Sequence, residues 1–144
     1  MLSRKAEDYL EAILAITEEK GYARIKDIAA VMGVRSSSVT SMVQKLEGMG
    51  YVLYRKYDGV GLTDRGRDIA SATRERHQAI RAFLEFIMVP PDMADRDACK
   101  MEHELSDVTT VQIKSFVKFL EDSPDSSGFM ARFGEFCNKT GKGS

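Results

Sequence analysis

Six side chains of the kinds that hold divalent transition metals stand at three places in the sequence. Asp8 and Glu11 are three residues apart in a segment of helical periodicity, so they share a face. His77 lies deep in a longer helical stretch, and Cys99, Glu102 and His103 form a Cys-x-x-Glu-His run whose spacing puts all three on one face of a fifth helix. His77 and His103 are the two histidines of the chain. Together these residues offer three carboxylates, two imidazoles and a thiol. Each also has an ordinary reading: an Asp-x-x-Glu pair as a solvated face, a lone histidine as a structural one, a buried cysteine as a small apolar residue. Metal binding requires the fold to unite them.

A second chemistry is written in residues 25–44. Ala29 is small where two helices would cross, and Gly33 sits where a tight turn favours a backbone without Cβ. Ile28, Met32, Val34, Val39 and Met42 fall at positions that bury the angle between those helices. This is the pattern of a helix-turn-helix. Its recognition surface is read as Arg35, Ser36, Ser37, Ser38, Thr40, Ser41 and Gln44. Short hydroxyl side chains allow close entry into a major groove, and a glutamine can read base edges. Lys45 and the hairpin residues Arg55 and Lys56 are candidates for phosphate contacts. A self-capping serine-rich helix, or a winged helix used for protein contacts, are the plainer alternatives.

The elements that must position these residues follow from periodicity and turn signals. Helices are expected over 3–19, 26–32 and 36–49, with serines capping the third. Strands are expected at 51–56 and 60–62 around the Asp58-Gly59 turn. A long helix capped by Thr63 should run to Met88 and be stopped by Pro90-Pro91. Helices over 92–105 and 109–121, a loop over 123–128, a short helix over 129–137 and a frayed tail complete the chain. The expected fold is mainly α: a winged helix-turn-helix over residues 1–70 and a helical unit over 71–144.

Composition narrows the function. The 144 residues carry a net charge of −1, so any positive surface for DNA must be local. Residues 1–70 hold 11 basic against 10 acidic side chains, and residues 71–144 hold 10 against 12. No stretch suits a bilayer. The amphipathic start and the two cysteines, too few for a disulfide framework, fit a cytoplasmic protein. A metalloenzyme would need an open coordination position and a signature such as His-Glu-x-x-His, which is absent; neither an enzyme nor an organic small-molecule substrate is expected.

The order of winged helix-turn-helix, long linking helix and helical region with Cys-x-x-Glu-His resembles the diphtheria-toxin-repressor family of metal-dependent regulators, and within it the short manganese-transport-regulator branch. Glu18-Glu19-Lys20-Gly21-Tyr22-Ala23-Arg24, Ser37-Ser38-Val39-Thr40, Met42-Val43-Gln44-Lys45-Leu46 and Leu62-Thr63 carry the likeness, which leaves no room for the SH3-like third domain of longer members. The resemblance implies a homodimer that represses metal-homeostasis genes from palindromic double-stranded operators, with residues 71–144 as its metal-binding and dimerisation domain. Dimer contacts are then expected from Ile80, Phe83, Leu84, Ile87, Val108, Ile113, Phe116 and Leu120. It implies Asp8, Glu11, His77, Cys99, Glu102 and His103 as ligands. Asp8 matches the manganese branch. Cys99 matches the iron branch, which has methionine at the position of Asp8. Arg81 stands where the iron branch places the acid of an ancillary site. Thiolate favours softer metals than Mn²⁺, so Fe²⁺ or Mn²⁺ is expected, with Co²⁺, Ni²⁺ and Zn²⁺ chemically possible. Whether one or two ions bind per subunit stays open, since Cys99 stands where a bridging carboxylate could hold a second. The competing reading is a winged-helix regulator that senses redox state or a small molecule through Cys99.

Overall fold

The computed structural model describes residues 2–140 and divides the chain into two compact units, Met1–Arg74 and Glu75–Ser144. The described residues form seven helices and one hairpin: α1 (Arg4–Lys20), α2 (Ile25–Met32), α3 (Ser36–Gly48), β1 (Val52–Arg55), β2 (Gly59–Leu62), α4 (Asp64–Phe86), α5 (Pro91–Met101), α6 (Asp107–Asp122) and α7 (Ser126–Thr140).

In the first unit, Ser3 caps α1 by accepting from the Ala6 amide, and Gly21 ends it in the left-handed region at φ 85°. Tyr9, Leu10, Ile13 and Leu14 of α1 meet Ile28 of α2, Val39, Val43 and Leu46 of α3, and Val52 and Val60 of the hairpin in one buried core. Met32, Val34 and Met42 are only partly buried against it. Gly33 closes the helix-turn-helix turn at φ 67°. The expected serine cap of α3 is absent: Arg35 occupies the N-cap position without a side-chain cap bond.

The wing has more backbone pairing than its two strands. Ala23, between α1 and α2, exchanges two hydrogen bonds with Val60, at 3.2 and 2.7 Å. Gly59 permits this approach, because a Cβ there would stand 2.7 Å from the Ala23 carbonyl oxygen. Thr63 caps α4 as expected, accepting from the Gly66 amide, and donates to the Gly50 carbonyl at 2.7 Å.

Helix α4 ends at Phe86, before the prolines. Met88 takes a left-handed φ of 73°, while Met88 and Val89 amides bond back to the Glu85 and Leu84 carbonyls. This pairing closes a helix end without a proline. Pro91 instead begins α5, where its missing N–H costs nothing. In the second unit, Ile80 and Leu84 of α4 pack with Ala94 and Ala98 of α5. Phe83 meets Phe116 of α6 edge to face at 6.1 Å. Helix α7 is longer than expected and takes in part of the supposed loop and tail; residues 141–144 lie outside the described residues.

Candidate functional site

On α4, His77 and Arg81 are one turn apart. On α5, Asp95 and Cys99 are one turn apart beside the buried Ala94–Ala98 stripe, and Glu102 follows as the C-cap. The packing of this stripe against Ile80 and Leu84 brings the two ladders together within the second unit. Donor atoms of His77, Cys99 and Glu102 lie within 4.8 Å of one another. The Glu102 side chain is 0% exposed; one oxygen is 3.6 Å from His77 Nδ1 and the other 3.1 Å from His103 Nε2. Glu102, still helical in its backbone, closes α5, and His103 lies just beyond its end.

The cluster suits a cation. A carboxylate removed from water costs several kcal/mol unless positive charge meets it. His77 Nδ1 is buried without a hydrogen bond, as a ligand nitrogen would be. Cys99 is an exposed thiol outside any disulfide, which removes the reading of it as a buried apolar residue. Imidazole, thiol and carboxylate together match first-row transition metals.

Sequence reasoning missed Asp95. It receives the other nitrogen of His77: Nε2 stands 2.8 Å from Asp95 Oδ1, and Arg81 Nη1 is 3.3 Å from the same oxygen. The hydrogen bond from His77, opposed by desolvation and aided by the charges of His77 and Arg81, holds the Asp95 carboxyl below its ordinary value. Its spacing of four residues before Cys99 was the available signal. Asp8 and Glu11 lie on α1, both half-buried in the first unit.

The candidate nucleic-acid surface belongs to the first unit. Arg35, Ser36, Ser37, Ser38, Ser41, Gln44 and Lys45 are exposed along α3. Thr40 is half-buried and its hydroxyl donates to the Ser36 carbonyl, so it retains only acceptor capacity. Arg55 and Lys56 are exposed on the wing. Glu47 accepts from the Tyr54 amide at 2.9 Å, which ties α3 to the wing.

Of the expected dimer residues, Ile80, Leu84 and Leu120 are buried within the second unit itself, and Phe83 and Ile113 pack against its core. Ile80, Leu84 and Leu120 thus serve the intramolecular interior, while Phe83 and Ile113 keep part of their surface exposed. Ile87, Val108 and Phe116 remain exposed, and sequence reasoning missed the exposed Val111, Phe119, Phe129 and Phe136.

A DNA-reading head followed by a helical unit with a transition-metal donor cluster defines the class of metal-responsive transcriptional regulators. The family description "Iron dependent repressor, N-terminal DNA binding domain" matches residues 1–60, and "Iron dependent repressor, metal binding and dimerisation domain" matches residues 63–128. The HTH-type transcriptional regulator MntR of Listeria monocytogenes (serotype 4a, strain HCC23) is 42% identical over 120 residues, covering 83% of this chain and 84% of that one. MntR of Bacillus pumilus (strain SAFR-032) is 41% identical over 127 residues, 88% of each. Among solved structures, the manganese regulator SloR superposes with a TM-score of 0.70 at 32% identity, covering 79% of this chain and 54% of that one. A manganese-dependent transcriptional repressor in complex with manganese gives 0.68 at 29% identity, over 79% and 53%; the chain spans about half the length of these two. The chain belongs to the iron-dependent repressor family of metal-dependent transcriptional regulators, with a DNA-binding domain followed by a metal-binding and dimerisation domain. That membership favours metal dependence over redox sensing through Cys99. Among the described residues, no helix is long and apolar enough to cross a membrane.

Proposed function

We propose that the chain is a cytoplasmic homodimeric repressor of metal-homeostasis genes that binds palindromic operators when Fe²⁺ or Mn²⁺ occupies a site held by Asp8, Glu11, His77, Cys99, Glu102 and His103. The convergence of His77, Cys99 and Glu102 carries this reading. Asp8 and Glu11 are supported by their shared face on α1 and by the family's pattern. A bound divalent cation would supply the positive charge and the fixed coordination that these side chains need. Glu102 offers a carboxylate already stripped of water, so its desolvation is prepaid by folding. His77 presents Nδ1. Cys99 must lose its Sγ proton to become a thiolate, and its exposure lets that proton pass to solvent.

DNA is read by α3, with Gln44 at base edges and serine hydroxyls at close range, while Lys45, Arg55 and Lys56 contact phosphates. In a homodimer two such helices address half-sites about 34–36 Å apart or multiples of that. A fixed spacing of the two heads is therefore the quantity that metal binding must control.

The test is operator affinity, measured anaerobically by fluorescence anisotropy on DNA selected from a random pool. Mn²⁺ or Fe²⁺ is expected to tighten binding roughly 5–150-fold over chelator-treated protein, and the selected sites are expected to be palindromic. Binding that ignores chelator and is lost to peroxide would return the decision to Cys99 as a redox sensor.

A further inference from the structure

We propose that Asp95 is the positioning residue for the metal ligand His77, and that Arg81 holds Asp95 in place. The inference rests on the reading that His77 binds the metal. An imidazole has two nitrogens, and a neutral ring can offer a lone pair from one of them only if its proton sits on the other. His77 Nε2 is 2.8 Å from Asp95 Oδ1, while Nδ1 lies buried, without a hydrogen bond, on the side of Glu102 at 3.6 Å. A carboxylate accepts and does not donate. The pairing therefore keeps the proton at Nε2 and turns the Nδ1 lone pair toward the donor cluster. It also fixes the ring plane and makes the ligand nitrogen more basic, as carboxylate partners of metal-bound histidines do.

Arg81 completes the arrangement. Its Nη1 donates to Asp95 Oδ1 at 3.3 Å, and its Nε donates to Glu85 at 3.1 Å. A guanidinium pinned from both sides by two carboxylates is a fixed cation, and it is never deprotonated at ordinary pH. It keeps Asp95 an ionised acceptor, and it cannot itself be a ligand. The i, i+4 spacing of His77 and Arg81 on α4 therefore serves one metal position, with Arg81 supplying a permanent positive charge beside it.

The experiment uses the full chain and its Asp95→Ala, Asp95→Asn, His77→Ala and Asp92→Ala variants. The His77 side-chain proton is located by nitrogen–proton correlation NMR on metal-free protein at alkaline pH, and Mn²⁺ affinity is measured against a fluorescent chelator. Wild type is expected to carry its ring proton at Nε2. Asp95→Ala should lose that preference and bind Mn²⁺ about 10–100-fold more weakly. Asp95→Asn should retain the tautomer, because its amide oxygen still accepts, and lose less affinity. Asp92→Ala, which removes an exposed carboxylate paired with Arg96 at the start of α5, should match wild type in tautomer and Mn²⁺ affinity. An Asp95→Ala protein with wild-type tautomer and affinity overturns the assignment if His77→Ala has lost Mn²⁺. A His77→Ala protein that binds Mn²⁺ like wild type overturns the reading beneath it.

Discussion

At position 99 a thiol faces solvent beside a buried carboxylate and an imidazole. A thiolate carries one donor atom where a glutamate carries two, and it prefers softer ions. Cys99→Glu is expected to shift relative affinity toward Mn²⁺ and away from Co²⁺ and Zn²⁺ and to raise the number of ions bound per subunit; competition titrations and native mass spectrometry would show it. Equal stoichiometry in both proteins would count against a role for Cys99 in limiting the site. Elsewhere on the surface, Glu18 accepts a 2.8 Å contact from Arg74, and that hydrogen bond holds its carboxyl below the ordinary value. A lowered folded value means that the contribution to stability is present above the unfolded pKa and is lost as pH falls through the folded one. Glu18→Gln should therefore flatten the acid limb of a stability-versus-pH curve and leave other limbs unchanged, as followed by urea denaturation at several pH values.

Helix α3 and the wing behave as one reading element because a side-chain bond joins the two and the wing is paired to the connection between α1 and α2. Glu47 reaches the Tyr54 amide, Ala23 pairs with Val60, and Gly59 leaves space for that pairing. Gly59→Ala adds a Cβ 2.7 Å from the Ala23 oxygen at a residue whose φ is 88°. It is expected to destabilise the first unit by more than about 1 kcal/mol, read as a lowered denaturation midpoint. Lys45→Ala leaves the fold alone, since Lys45 is exposed. It should weaken operator and random DNA alike and reduce the salt slope of binding by about 1. Pattern and turn residues made these elements readable: Gly21, Gly33 and Thr63 mark boundaries where they were expected. The end of α4 was less readable, because Met88 adopts a conformation that glycine or asparagine usually signals.

For the whole molecule, the second unit keeps a small core and leaves large aromatic area outside it. Phe119 is 68% and Phe136 62% exposed, whereas Ile80 is fully buried. Exposed apolar surface of this kind is a candidate for the contact between subunits. The double variant Phe119→Asp, Phe136→Asp is expected to sediment as a monomer and to lose operator binding while its helicity is retained. Ile80→Ala should instead cost about 2–5 kcal/mol of stability. A Phe119 and Phe136 variant that remains dimeric would move the interface to Ile87, Val108 and Phe116.

Helical period, glycine turns, the alternation of the hairpin and the list of donor-type residues are local properties, so residue order alone specified the winged head, the helical second half and the chemistry available to it. Which of two apolar faces turns inward, and which nitrogen of a histidine meets which carboxylate, depends on the packing of helices distant in sequence. Only the folded chain therefore sent Ile80 to the interior and Phe119 to the surface, and only it set Asp95 and Arg81 behind His77.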